Sequence, residues 1–340
     1  MYLVFIRADA SSLIGSGHVM RCLTLAQRLR KEQNAKVIFI MRNLSGNLID
    51  VVRKQRFAVF VLPPADEDYK LDGYGLWLTV PMEVDAQQTI EVLQHYLQEH
   101  DCDVADRLIV DSYALDEQWE RMLRPYCREI MVIDDLANRR HDCDILLDQN
   151  FYLNKDVRYV GLVPEHCKML LGPEHALLRE EFYEAKKHFR KRDGTIKNIL
   201  VFYGGSDLTN ETEKAIEALV QLHDEGYNFT ADIIIGVSNS RREKIEKICS
   251  KYNFLHYYCQ VSNMAEFMNK ADLMLGAGGS TTWERLYMEL PALVTAVAEN
   301  QIQGCEDCSQ AGIIEYLGIN DDVRVDTILE ALHKKLDRHN

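Results

Sequence analysis

The fold is decided near the amino end, by Leu3-Val4-Phe5-Ile6-Arg7-Ala8-Asp9 and, after a short loop, Gly15-Ser16-Gly17-His18-Val19-Met20-Arg21-Cys22-Leu23. A continuous apolar run that stops at a charge reads as a strand buried on both faces. Gly15 and Gly17 allow a tight turn and close backbone approach. Beyond them Val19, Cys22, Leu23, Ala26 and Leu29 recur at helical spacing. Arg28, Arg30 and Lys31 follow at the end where the helix dipole favours cations. Strand, glycine turn and helix together open a parallel α/β sheet. His18 falls at the start of the helix, a place that suits a neutral imidazole acting as general base; a cap or packing role is the alternative. Asp9 is placed to orient that ring or to shape the loop. Gly15-x-Gly17-x-x-Met20 lacks the third glycine of a dinucleotide fingerprint, and the second strand ends at Met41-Arg42 without an acid for a ribose, so NAD is not expected.

The same rhythm runs through the chain. Apolar runs predict strands over 3–7, 36–41, 57–62, 108–111, 130–134 and 145–147, with helices over 19–29, 84–99 and 116–123. The second half predicts strands over 199–203, 231–235, 255–259, 273–275, 292–296 and 313–316. Helices are expected there over 211–222, 241–249, 264–269, 282–289, 302–310 and 325–337. Between the halves, Pro173 to Gly194 carries a dense charged run that suits a solvated helix leading into a hinge; a plain surface helix within one domain is the alternative. The expected architecture is two doubly wound, Rossmann-like α/β domains facing a cleft, 1–175 and 176–340, with the final helix free to pack back on the first. Parallel sheets bind ligands beyond the carboxyl ends of their strands, so the residues just after strands are the site candidates.

The 340 residues carry 39 Lys plus Arg against 53 Asp plus Glu, a net charge of −14. That argues against nucleic acid or an anionic membrane as the main partner. No apolar run is long enough to span a bilayer. The amino end has no basic n-region and is broken early by Arg7, so a signal peptide is not expected. The nine cysteines then read as reduced thiols of a cytoplasmic protein.

Two further glycine turns follow strands. Tyr203-Gly204-Gly205-Ser206-Asp207 is one; Gly276-Ala277-Gly278-Gly279-Ser280-Thr281-Thr282-Trp283-Glu284-Arg285 is the other. Bare amides before a helix suit a diphosphate, with hydroxyls from Ser280, Thr281 and Thr282. Glu284 is placed to accept from the hydroxyls of a ribose. No Walker lysine follows, and glycines required for packing alone are the other reading. Glu299-Asn300-Gln301 projects from the next strand end. Its neutral amides suit sugar hydroxyl and acetamido groups, while Asn300 equally fits a helix N-cap.

Taken in order, the residues resemble the UDP-2,4-diacetamido-2,4,6-trideoxy-β-L-altropyranose hydrolases of pseudaminic acid biosynthesis. The shared pattern begins Arg7-x-Asp9, Gly15-x-Gly17-His18-x-x-Arg21-Cys22 and Leu25-Ala26. It continues with Asp111-Ser112-Tyr113, Ile133-Asp134-Asp135, Asp148-Gln149-Asn150, Gly172-Pro173 and Leu177-Leu178-Arg179-x-x-Phe182. It ends with Gly204-Gly205-Ser206-Asp207, Gly278-Gly279-Ser280-x-x-Trp283-Glu284 and Asn300-Gln301. Glu289 stands before Leu290-Pro291 where the pattern leads one to expect glycine. The resemblance implies a glycosyltransferase-B-like fold and hydrolysis of a UDP-sugar without metal or other cofactor. It implies His18 as the base and Tyr113, Arg179, Glu284 and Asn300 as ligand contacts. Arg7, Asp9, Gly17, Gly205, Ser206, Gly278, Gly279, Ser280, Thr281 and Gln301 complete the expected substrate-binding set. The second domain would hold UDP.

Other constellations point less clearly. Cys305-x-x-Cys308 has no second metal-binding pair. Asp134-Asp135 and Asp142 with Asp144 suggest a metal, or charge pairing with Arg139-Arg140-His141. Trp283 reads as a packing anchor. A glycosyltransferase, a UDP-sugar 2-epimerase and a non-catalytic nucleotide-sugar binder are the competing functions. Oligomeric state is not legible.

Overall fold

The computed structural model describes residues 2–65, 67–279 and 281–337. Ser280, one of the expected site residues, lies outside them. The chain forms two compact units, Met1–Leu177 and Leu178–Asn340.

The first unit runs β1 (Leu3–Ala8), α1 (Gly17–Gln33), β2 (Lys36–Arg42), α2 (Ile49–Lys54), β3 (Ala58–Leu62), α3 (Met82–Glu99), β4 (Ala105–Asp111), α4 (Glu117–Leu123), β5 (Cys127–Ile133), β6 (Ile145–Asp148), α5 (Lys155–Arg158) and β7 (Lys168–Leu171). The strands lie in the order β3-β2-β1-β4-β5-β6-β7, all parallel. Every residue of β1 is buried, because its two faces serve two cores. Val4 and Ile6 pack with Val19, Cys22 and Ala26 of α1. Leu3 and Phe5 pack with Leu93 of α3 and Trp119 of α4. The α1 stripe ends at Asn34, whose left-handed backbone (φ 51°) sends its amide to the Leu29 carbonyl.

The second unit runs α6 (Glu180–Lys186), β8 (Asn198–Phe202), α7 (Glu211–Asp224), β9 (Thr230–Ile235), α8 (Arg242–Cys249), β10 (Leu255–Cys259), α9 (Met264–Lys270), β11 (Leu273–Ala277), α10 (Thr281–Tyr287), β12 (Ala292–Ala296), α11 (Ile302–Gln310), β13 (Glu315–Ile319) and α12 (Val325–Leu336). Its parallel sheet has the order β10-β9-β8-β11-β12-β13. Both sheets are doubly wound, as expected. In each, the strand order reverses beside the first strand: between β1 and β4, and between β8 and β11.

Several details depart from the sequence expectation. β7 lies outside the expected strands; its Lys-Met-Leu-Leu is a half-exposed edge without β-branched residues. α2 and α5 are too short for a helical period to show. β13 lies at Glu315–Ile319 rather than 313–316, and its register shifts opposite Val294 and Thr295. The final helix packs within its own unit. Its apolar face enters this unit's own core, where Ile328, Ala331 and Leu332 join Ala215 and Leu219 of α7. The charged segment after α6 is not a loose hinge. Arg190 pairs with Asp272 at 2.6 Å, and Arg192 donates to the carbonyls of Met268, Ala271 and Met288.

Glu289 sits at φ 49°, in the left-handed region. That is the physical reason glycine is the expected residue there. Its carboxylate instead reaches Lys186 Nζ at 2.7 Å.

Candidate active site

In the first unit the switch point brings together residues far apart in sequence. His18 opens α1 after the β1 loop, and Asp111 ends β4. His18 Nδ1 lies 2.6 Å from Asp111 Oδ1. Both are buried, with 7% of His18 exposed. Arg21, one turn along α1, donates Nε to Asp111 Oδ2 at 2.6 Å and Nη2 to Oδ1 at 2.7 Å. Its Nη1 reaches Asp135 Oδ2 at 3.1 Å, and the Tyr113 hydroxyl donates to Asp135 Oδ1. A lone pair on Nδ1 facing a carboxylate at 2.6 Å would be repelled. Arg21 Nη2 also lies 3.3 Å from Nδ1, but the Asp111 carboxylate is nearer and charged, so the proton belongs on Nδ1 and Nε2 is the acceptor. Burial alone would push the Asp111 carboxyl up; Arg21 and His18 outweigh it and hold the group well below the usual range.

Aromatic rings wall the imidazole. Tyr113 stands edge-on at 4.7 Å and Trp77 at 5.5 Å, and Tyr74 packs on both at 5.2 and 4.9 Å. Asp111, Arg21 and Asp135 belong to the shared sequence pattern, which gives them no role. Tyr74 and Trp77 give no signal in the sequence, because they sit in a 3-10 turn over Gly73–Trp77 that is too short to show a period. The His18–Asp111 partnership spans 93 positions, and only the parallel pairing of β1 with β4 could have suggested it.

Arg7 and Asp9 are expected from the sequence to meet substrate, but the structure assigns them elsewhere. Arg7 is fully buried. It donates Nε and Nη2 to Asp85 of α3 at 3.2 and 2.6 Å, and pairs with Asp9 at 2.7 Å. Arg42 Nη2 reaches the same Asp85 at 2.7 Å, and Trp119 Nε1 reaches it at 3.1 Å. Asp9 Oδ1 accepts the Arg42 amide at 2.6 Å. This buried knot fixes the ends of β1 and β2; it is a foundation for the loop above it. Of the two glycines in that loop, Gly15 is required by its φ of 81°. A Cβ on Gly17 would meet nothing within 4 Å.

Toward the far edge of the sheet, Asp148 ends β6. Burial, then the Asp135 charge, push its carboxyl up to about 7. Tyr159 has one hydroxyl proton and lies 3.0 Å from Asp148 Oδ2 and 3.2 Å from Asp134 Oδ2. The Asp134 carbonyl, 3.0 Å away, competes for the same hydroxyl proton, and Arg158 Nε lies 3.4 Å from Asp148 Oδ2. The remaining acids are charge-paired: Asp134 with Arg139, and Asp142 and Asp144 with Arg124. No metal-binding group of three or more His, Cys, Asp or Glu side chains occurs among the described residues.

In the second unit the switch point carries both glycine turns. Gly204 adopts φ 90°, and Gly236 passes so close to Gly205 that a Cβ on it would lie 2.4 Å from the Gly205 carbonyl oxygen. Ser206 is half-buried beside them. Asp207 caps α7, accepting the amides of Glu211 and Thr212 at 2.9 and 3.0 Å. At the other turn, packing alone demands two of the glycines. A Cβ on Gly276 would meet the Phe202 carbonyl oxygen at 2.9 Å, and one on Gly278 would meet Cys305 Sγ at 2.2 Å. Cys305 is thus a buried wedge beneath the turn. Gly279 is under no such demand; its nearest neighbour is Gln301 Nε2 at 3.8 Å. Thr281 begins α10, which is shorter than expected at seven residues.

Glu284, expected to bind a ribose, is already held. Arg179 donates Nε to Oε1 at 2.8 Å and Nη2 to Oε2 at 3.2 Å. Burial pushes the Glu284 carboxyl up, against the pull of Arg179. Each oxygen keeps a further lone pair for a hydroxyl. Asn300 is exposed within a 3-10 turn over Glu299–Gln301 and is not a helix cap; Ala298 and Gln301 hold those positions. Gln301 Oε1 accepts the Val297 amide at 3.0 Å. Trp283 is buried, as a packing residue should be.

The two-sheet α/β fold is that of the glycosyltransferase-B class. It is shared with the crystal structure of Acinetobacter baumannii MurG (TM-score 0.61, 12% identity, 99% of this chain and 95% of that one). It is shared too with a putative UDP-N-acetylglucosamine 2-epimerase of Listeria monocytogenes (TM-score 0.59, 12% identity, 98% and 88%). By sequence the chain is similar to the UDP-2,4-diacetamido-2,4,6-trideoxy-β-L-altropyranose hydrolase of Campylobacter jejuni, 26% identical over 88% of this chain and 93% of that protein. An uncharacterized protein of Methanocaldococcus jannaschii is also 26% identical over 88% of this chain, which spans only 56% of that relative's length. A Helicobacter pylori protein named pseudaminic acid cytidylyltransferase and UDP-2,4-diacetamido-2,4,6-trideoxy-β-L-altropyranose hydrolase is 24% identical over 63% of this chain and 38% of its own. No protein-family model matches. No helix among the described residues is long and apolar enough to cross a membrane.

Proposed function

We propose that this protein hydrolyses UDP-2,4-diacetamido-2,4,6-trideoxy-β-L-altropyranose to UDP and the free sugar, with water attacking the anomeric carbon. The observation that carries this is the buried His18–Asp111 pair at the switch point between β1 and β4. Asp111 fixes the proton on Nδ1, so Nε2 takes a proton from water. The charges around it suit that step. Asp111 and Asp135 face one guanidinium, Arg21, so one negative charge is left over for the imidazolium that forms. UDP is a good leaving group and needs no dedicated acid if its growing charge is stabilised. The amides of the Gly204–Ser206 turn and of Gly279 are the groups for that; the Gly278 amide already donates to the Thr295 carbonyl at 3.2 Å. Tyr113, Arg179, Glu284, Asn300 and Gln301 are the proposed contacts to sugar and nucleotide, and no metal takes part. The substrate identity rests on the similarity to the Campylobacter and Helicobacter proteins.

Turnover of that UDP-sugar in the presence of a chelator tests the proposal. Wild type should release UDP and one unepimerised sugar, followed by NMR, while His18→Asn should release neither. Transfer of the sugar to another acceptor, or inversion at its second carbon, would overturn it.

A further inference from the structure

The 3-10 turn over Gly73–Trp77 lies between β3 and α3. It is fastened just beyond its end. Leu78 and Val80 are buried in the core that β1 shares with α3 and α4. Thr79, between these two anchors, has φ 62°, a left-handed backbone that a β-branched side chain adopts only under strain. Strain of this kind persists where the surroundings over-determine it, and it gathers at working parts of a fold. The rings of the turn itself stay nearer the surface: Trp77 is half-buried and Tyr74 is 37% exposed. They close on the imidazole of His18. The ring centres of His18, Tyr113 and Trp77 form a near-equilateral triangle with sides of 4.7, 5.2 and 5.5 Å. The imidazole stands at 84° to Tyr113 and 72° to Trp77, and Tyr74 packs against both of those rings.

Asp111 holds one point of the imidazole, Nδ1. The second torsion of a histidine side chain is broad, so that single bond leaves the ring room to tilt. The tilt decides where Nε2 aims. Two aromatic rings in edge-to-face contact remove that freedom. We propose that Trp77 is a positioning residue for His18: its indole, held by the strained turn and braced by Tyr74, fixes the tilt of the imidazole and so the aim of Nε2. A ring free to tilt would lengthen its bond to Asp111 and admit the other tautomer. The catalytic consequence rests on the proposed hydrolase function; the effect on the imidazole does not.

Trp77→Ala and Trp77→Phe test this in the full chain. Nitrogen-15 NMR of the histidine rings, read without substrate and assigned by comparison with His18→Asn, reports the tautomer of His18. Release of UDP from the UDP-sugar reports turnover. Wild type should show a single tautomer with the proton on Nδ1. Trp77→Ala should mix in the other tautomer, and kcat should fall on the order of 10- to 100-fold, the scale of a displacement of about 1 Å at a reacting group, with KM nearly unchanged. Trp77→Phe should restore most of both. If Trp77→Ala does not fold, Tyr74→Ala, which removes the brace, takes its place, and failure of both to fold would overturn the proposal in favour of a structural role. Wild-type His18 signals in the alanine variant would overturn it. So would a loss confined to KM, which would make Trp77 a sugar contact, or a phenylalanine variant no better than alanine. Disturbed His18 signals in Trp77→Ala, beside a wild type that hydrolyses no UDP-sugar, would sink the hydrolase and leave the positioning role standing.

Discussion

Asp111→Asn should fold and yet turn over about 10³- to 10⁴-fold more slowly, the scale seen when a buried aspartate that sets a histidine's tautomer becomes an amide. The new amide would present its NH2 to His18 Nδ1, or an oxygen that no longer carries charge. In the first case the imidazole proton moves to Nε2 and the acceptor for water is gone. In the second, the imidazolium loses its counter-charge. Arg21 would still find an oxygen and would keep Asp135, so the fold should survive. Rates of UDP release, beside a circular dichroism melt, check this. Turnover within tenfold of wild type by a well-folded variant would mean that Asp111 merely anchors Arg21.

Asp85→Ala should have the largest effect on stability. It removes the one carboxylate that the buried guanidinium groups of Arg7 and Arg42 and the Trp119 indole share, leaving Arg42 only the neutral acceptors Gln88 Oε1 and the Pro63 carbonyl. Breaking a buried pair by removing one partner costs about 3–5 kcal/mol, a large share of the ~5–15 kcal/mol that holds a typical domain. Asp9 stays near Arg7 and limits the loss but does not reach Arg42's side chain. Burial would push the Asp85 carboxyl up; the two arginines hold it below its usual range instead, a sign that its charged form belongs to the fold. Urea denaturation should show the first unit unfolding at markedly lower urea. An unchanged midpoint would contradict this account of the knot.

The layers of this fold are legible because parallel strands buried on both faces read as unbroken apolar runs. β1 and β11 are examples, and each is followed by a glycine turn. β7 is not, since a half-exposed edge strand carries no such run. His18 is legible from its place after Gly17, but its partner is not, because β4 reaches it only through pairing with β1. Arg7 misleads for a physical reason. A charged residue at a strand end is equally a ligand contact or one half of a buried pair, and Asp85, 78 positions on, decides which. The glycines of the 276–279 turn look alike in sequence. Only the approach of Cys305 and of the Phe202 carbonyl separates those that packing requires from the one it does not.

The most direct test of the central claim is hydrolysis in water enriched in oxygen-18, with both products examined by mass spectrometry. Attack on the anomeric carbon by water activated at His18 predicts one heavy oxygen in the free sugar and none in UDP. Label in the phosphate, or a sugar released without label, would contradict it.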